Sequence, residues 1–240
     1  MTLLRPGSRG PEVRQLQEAL NNRLTPPPRL APDGDYGHQT RQAVLRFQAQ
    51  EWLVEDGDAG PCTQNALMGT EAYPPILHSV AFIAQPTPST CWAASTAMLT
   101  RSTVPAVIAR TPPELILADG SLANYSEGNW MPGTLAFAQA HHLHFYPPAS
   151  WLPSALAGML QSGPLMLDML WNADEYTQGL GSSGHMILVV GMRGDNAPDG
   201  HGTTLRIHDP WPPNRGRRYS VGYFSWMQQV LTRTYRGFQR

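Results

Sequence analysis

The stretch "QPTPSTCWAASTAML" runs from Gln85 to Leu99 and holds Cys91, one of two cysteines in the chain. Cys91 stands between a Pro/Ser/Thr-rich turn and an alanine-rich helix. A cysteine at a helix N-terminus meets unpaired backbone N–H groups and the positive end of the helix dipole, and both favour the nucleophilic thiolate. Ser89 and Thr90, just before it, are N-cap candidates. A thiolate that attacks an amide also needs a base, a group that orients the base, and an oxyanion hole. Gln85 lies six residues upstream, where its amide can loop back and hold an oxyanion together with the Cys91 N–H. His185 opens an apolar strand after the glycine-rich "GLGSSG". Asp209 ends a later strand. If those strands are neighbours, Asp209 accepts a hydrogen bond from the His185 ring and fixes its tautomer.

Other reactive side chains compete for these roles. A single cysteine is most often a small buried core residue, so the case for Cys91 rests on its company. Asp168 and Asp174 are alternative acids, but both precede His185 and lack the strand-end context. His141, His142 and His144, in "HHLH", lack the usual His-x3-His or Cys-x2-Cys metal spacing and are expected to be surface and loop residues. No metal or other cofactor is called for. His208 is expected on the strand face opposite Asp209, Trp92 in the core, Cys62 in a structural role, and "NRGRR" (214–218) in a solvated turn.

The elements that must position these residues can be read from periodicity. Val13, Leu16, Ala19, Leu20 and Leu24 trace one face of a helix that Pro11 starts; Ala43, Val44, Phe47 and Trp52 suggest a second; Pro61 to Met68 makes a short third. "PDGDYGHQT" and "EDGDAGPCT" repeat D-G-D-x-G-x-x-T at an interval of 23 residues. Gly34 and Gly57 suit the turn, and Thr40 and Thr63 stand where the next helices begin. The helical signal stops at "EAYPP" (71–75), which places a boundary between domains 1–72 and 73–240. Beyond it, helices are expected over 91–100, 132–140 and 152–161. Strands are expected over 164–170, 185–192 and 203–210, and "RYSVGYFSWM" is expected to open as another. Helices followed by antiparallel strands indicate an α+β fold.

Two resemblances follow from these blocks. "LRPGSRGPEVRQLQEALN", "DGDYGHQTRQAVLRFQ" and "DGDAGPCT" resemble, in order, the three-helix peptidoglycan-binding domain of bacterial cell-wall hydrolases. "QPTPSTCWAA", "GHMILVVGM" and "HDPWPP" resemble papain-like cysteine peptidases, in particular the bacterial branch that includes secreted effector proteases. The second resemblance implies a catalytic helix packed on an antiparallel sheet. It makes Cys91 the nucleophile, His185 the general base and acid, Asp209 the orienting group and Gln85 the oxyanion-hole donor. Many papain-like enzymes have Asn where this chain has Asp209; either accepts from imidazole, and Asp stabilises the imidazolium more.

Composition agrees with a packed protein. The 240 residues are 41% hydrophobic and 15% charged, with a net charge of −1, and all 17 basic residues are arginine. Nothing points to nucleic acid or an anionic membrane. No apolar run approaches the ~20 residues of a membrane span. The two cysteines fall in different domains, so free thiols are expected. "MTLLRPGSRG" has no apolar core of a secretory signal. The expectation is therefore a cysteine-dependent peptidoglycan hydrolase made in the cytoplasm without a signal peptide. It is expected to act at the wall or in the periplasm of a target bacterium, as type VI secretion effectors do, with a cognate immunity protein and a secretion-system component as partners. The alternatives are a protease of protein substrates, a phage-type endolysin, and an inactive wall-binding adaptor.

Overall fold

Gln17 and Gln48 organise the first part of the molecule, a computed structural model that describes residues 1–123, 130–149, 151–170, 184–230 and 235–240. Gln17 lies on α1 (Pro11–Arg23) and Gln48 on α2 (His38–Gln50). Both are buried. Gln17 Nε2 donates to Asp33 Oδ1, Asp35 O and Thr40 Oγ1, and its Oε1 accepts from Gly34 N–H. Gln48 makes the same four bonds to Asp56 Oδ1, Asp58 O, Thr63 Oγ1 and Gly57 N–H. Each D-G-D turn is thus pinned by a glutamine from the preceding helix. Gly34 has φ +77°, and a Cβ there would meet the Gly10 carbonyl oxygen at 2.9 Å, so the glycine is required twice over.

The second turn leads into α3 (Pro61–Met68), which a left-handed Gly69 ends. The three helices close over Val13, Leu16, Leu20, Val44, Phe47 and Leu67. α2 stops at Gln50, so Trp52 is not helical but sits at φ +45° beyond its end. This unit comprises 1–75 together with 192–205 and 220–226. Arg193, 2% exposed, forks onto both oxygens of Glu71 at 2.6 and 2.8 Å, bonds Glu51 Oε2 at 2.9 Å and lies over the Trp52 ring. A charge buried this deeply persists only with such pairing.

The second unit comprises 76–191, 206–219 and 227–240. Its elements are β1 (Ile76–Leu77), α4 (Cys91–Thr100), α5 (Val104–Arg110), α6 (Trp130–Ala140), β2 (His144–Ala149), α7 (Pro153–Ser162), β3 (Leu165–Leu170), β4 (Gly184–Gly194), β5 (Thr203–Asp209), β6 (Arg217–Gly222), α8 (Tyr223–Val230) and β7 (Tyr235–Gln239), some of which run on into the first unit's residues. The strand order is β2-β7-β3-β4-β5-β6, with β1 on β4. β3 pairs antiparallel with β4 and with β7, so that Met169 faces His185 and Asp168 faces both Met186 and Arg236.

α4 is buried nearly all round, as a helix without a polar face must be. Ala93, Ala94 and Ala97 are completely covered and pack with Met166, Met186, Leu188 and Phe238 of the sheet. Its hydroxyls are satisfied: Ser95 Oγ donates to Met186 O at 2.8 Å, Thr96 Oγ1 meets Met166 Sδ, and Thr100 bonds back to Thr96 O. The fold is α+β with a helical first part, as expected. Besides the two-residue β1, three elements were not anticipated. β2 carries two prolines and is tolerated because it lies at the sheet edge; β7 is short with a central glycine; α5 is a seven-residue helix with Pro in its first turn. The segment "RYSVGYFSWM" opens as β6 and turns helical at Tyr223.

Candidate active site

Cys91 is the first residue of α4, and Thr90 occupies the N-cap position. The expected side-chain cap does not form. Thr90 Oγ1 is turned to Thr87, bonding its N–H, hydroxyl and carbonyl. The positive end of the helix is therefore not consumed by a capping oxygen where Cys91 begins.

β4 presents His185 at its start, and β5 ends in Asp209 on the neighbouring strand. His185 Nε2 lies 2.8 Å from Asp209 Oδ1, with both side chains 5% exposed. The other ring nitrogen is left for the Cys91 sulfur, with which the imidazole also bonds. Burial pulls the His185 pKa down, but the bonds to Asp209 and Cys91 and the charges of both outweigh it and hold the imidazolium up to about 9. Burial works to raise the Asp209 pKa; the His185 bond and charge, the Trp211 N–H at 2.9 Å and Arg217 outweigh it, and the carboxyl stays below its ordinary value. Arg217 reaches Asp209 Oδ2 at 3.3 Å and stacks over Tyr219. It belongs to "NRGRR", expected as a plain solvated turn; one of its arginines instead folds back on the acid that holds His185.

Gln85 is fully buried in the same region. Its backbone N–H donates to Pro210 O and its carbonyl accepts from Asn214 N–H at 2.7 Å, which ties the Cys91 loop to the segment after Asp209. Its Nε2 donates to Thr87 O at 2.7 Å and Pro88 O at 3.0 Å. Both amide hydrogens are thus spent on the turn before Cys91. Serving an oxyanion requires one of them to be released.

A cleft of about 320 Å³ opens at Cys91, bounded by Trp92, Leu117, Asp119, Leu122, Asp168 and Arg236. Trp92 is core, as expected, and donates to Gly120 O. Asp168 is not the acid of His185; it pairs with Arg236, which also donates to Thr134 Oγ1. Burial drives the Asp168 pKa up, and Arg236 only partly offsets this. Asp174 lies outside the described residues.

The remaining candidates separate from the site. His142 and His144 are exposed, but His141 is buried against Thr111 and Phe137, with burial holding its pKa down to about 4, so the surface reading fails for that residue. Its cause is the helix end: His141 follows Ala140 of α6 and turns inward beside Leu143. His208 is buried edge-on to Phe82. Cys62 is a free thiol with its pKa pushed up to about 11 by burial. Among the described residues, no group of three or more His, Cys, Asp or Glu side chains is placed to hold a metal ion. No helix among them is long and apolar enough to cross a membrane.

Two family models match the chain: residues 76–229 match the one described as papain-like cysteine protease AvrRpt2, and residues 9–67 match that of a peptidoglycan binding domain. The zinc D-Ala-D-Ala carboxypeptidase of Streptomyces albus G is 44% identical over 64 residues, which are 27% of this chain and 25% of that protein. The N-acetylmuramoyl-L-alanine amidase CwlL of Bacillus licheniformis is 36% identical over 66 residues, 28% of this chain and 18% of that protein. The chain thus spans a quarter or less of the length of these curated relatives. Among solved structures, the Burkholderia AP3 phage endolysin is 29% identical with a TM-score of 0.27, covering 49% of this chain and 39% of that one.

Proposed function

Because the chain belongs to the papain-like cysteine protease AvrRpt2 family, we propose that it hydrolyses an amide bond in the stem peptides or cross-links of peptidoglycan, with Cys91, His185 and Asp209 as its machinery. The observation that carries this reading is the buried His185–Asp209 bond next to the first residue of α4, in a chain whose residues 9–67 match a peptidoglycan binding domain. The two curated relatives are named for different chemistries, a zinc carboxypeptidase and an amidase. Each match runs over some 65 residues, about the length of the peptidoglycan-binding match over 9–67; this fits an attachment role, and attachment raises the effective concentration of wall substrate. We read 1–72 as the attaching domain and 73–240 as the catalytic one.

In this scheme the Cys91 thiolate attacks the amide carbonyl. The developing oxyanion is met by the N–H groups at the uncapped end of α4, joined by Gln85 once its amide turns from the Thr87–Pro88 carbonyls. His185, held protonated by Asp209, gives its proton to the leaving amine. As a neutral base it then activates the water that releases the acyl-enzyme. Asp209 keeps the ring aligned throughout. The biological setting we infer is antibacterial: an effector delivered through a secretion system, type VI among the routes, into the periplasm of a target cell, with an immunity protein protecting the producer.

The test is mass spectrometry of purified peptidoglycan after incubation with the wild type and with Cys91→Ala. New stem-peptide or cross-link fragments from the wild type alone would support the proposal and identify the bond. An intact wall with both proteins would overturn it in favour of a protein substrate, the reading that the family's description as a protease favours.

A further inference from the structure

Asp168 is the buried acid of the Cys91 cleft that the hydrolytic scheme leaves unused. It is 8% exposed and lines that cleft together with Cys91. Its register partner on one side is Met186, one residue from His185; on the other it is Arg236. Arg236 takes Asp168 Oδ2. Among the described residues, Oδ1 has no hydrogen-bond partner. A carboxylate withdrawn from water needs its charge compensated and its lone pairs filled. Here burial outweighs the opposing pull of Arg236 and of the more distant His185. Among the described residues, then, the cleft holds a buried carboxylate whose one side-chain hydrogen-bond partner is Arg236, on Oδ2.

We propose that Asp168 Oδ1 receives a primary ammonium of the substrate, carried on a residue beside the scissile amide, so that the cleft selects peptides with a free amine at that place. The inference rests on Cys91 being the nucleophile. An ammonium meets both needs at once, with a second positive charge and N–H donors. At about 320 Å³ the cleft is at the small end of ligand sites, suited to one side chain or chain end. In a peptidoglycan stem, the diamino acid carries such an amine until cross-linking acylates it. The enzyme is then one that favours uncross-linked stems. A lysine-bearing protein segment is the other source of the same group, and the assay includes it.

The experiment first reads the cleft without assuming which bond is cut. Alkylation of Cys91 is timed at pH 7 with two chloroacetamides, one ending in an aminoethyl ammonium and the other in a hydroxyethyl group. Peptide mapping separates Cys91 from Cys62. The expected result is at least about tenfold faster labelling by the ammonium reagent, the size of one charge-assisted hydrogen bond. Asp168→Asn levels the two rates and Asp168→Glu keeps a preference. Equal rates in the wild type, or an undiminished preference in Asp168→Asn, would overturn the proposal. The wild-type comparison stands even if the Asn variant unfolds. A second arm compares stem peptides and a lysine peptide before and after acetylation of their amines. Whichever is cleaved should lose about tenfold in kcat/KM on acetylation and raise KM more than it lowers kcat; no loss would overturn the proposal. A persistent ammonium preference with no peptidoglycan cleavage would overturn only the wall-hydrolase reading.

Discussion

His185 and Asp209 face each other across adjacent strands at 2.8 Å, shielded from water. The contact sets the pH range of the site. His185 is held at about 9, above the ordinary 6.5, so its contribution to stability is full below about pH 6.5 and is lost as pH rises through about 9. The Asp209 pKa is depressed, so its contribution is full above its ordinary value and fades as pH falls towards the folded one. Activity needs the imidazolium as proton donor. We expect an alkaline limb of kcat/KM near pH 9, and Asp209→Asn should move it down by about one unit or more. A pH–rate profile of the two proteins checks this; an unmoved limb would remove Asp209 from the role.

Arg217 should matter far less. It is 58% exposed and 3.3 Å from Asp209, and exposed ion pairs contribute about 1 kcal/mol or less. Arg217→Ala should change kcat/KM by no more than about fivefold at moderate salt. Losing a cation beside Asp209 should also shift the alkaline limb slightly upward. A downward shift would mean that Arg217 acts by some means other than its charge on Asp209.

Gln85 joins two tasks that its variants can separate. Its Nε2 braces Thr87 and Pro88, and removing two such bonds should cost about 1–3 kcal/mol. Gln85→Ala should therefore lower the denaturation midpoint. If the amide also turns to the oxyanion, kcat should fall by about 10²–10³ while Cys91 alkylation, which forms no oxyanion, falls much less. Parallel losses in both reactions would assign Gln85 to bracing alone.

Gln17 and Gln48 make matching sets of four bonds. Each variant to Ala should cost about 2 kcal/mol, since a buried glycine N–H and a buried threonine hydroxyl lose their partner. Chemical denaturation of the two variants should give similar losses. A loss under about 0.5 kcal/mol in either would show that water replaces the side chain.

Much of this was legible in the chain. The D-G-D repeats carry their own turn chemistry, α4 and β4 are long runs with clear ends, and Cys91, His185 and Asp209 stand at element termini, where a side chain can be both held and open to a cleft. What escaped was set by partners distant in sequence. Gln17 and Gln48 read as ordinary polar helix positions until the turns they pin are folded beside them. "NRGRR" reads as a solvated turn because the acid that Arg217 meets lies on another strand, and nothing near Arg236 in the chain points to Asp168. The Thr90 hydroxyl has Thr87 as a nearer partner than the helix it precedes, a local competition that composition cannot resolve.

Arg193 has a practical consequence for dissecting the molecule. A clone that begins at residue 73 keeps the whole proposed triad, yet discards Glu51 and, with residues 1–72, Glu71, both carboxylates that neutralise this buried guanidinium. Residues 192–205 and 220–226 would lose the rest of their unit as well. A truncated protein that proves insoluble or inactive would therefore report an orphaned charge and not the loss of wall attachment. Substitutions on the exposed face of α1 or α2, with all 240 residues retained, are the cleaner way to separate anchoring from cleavage.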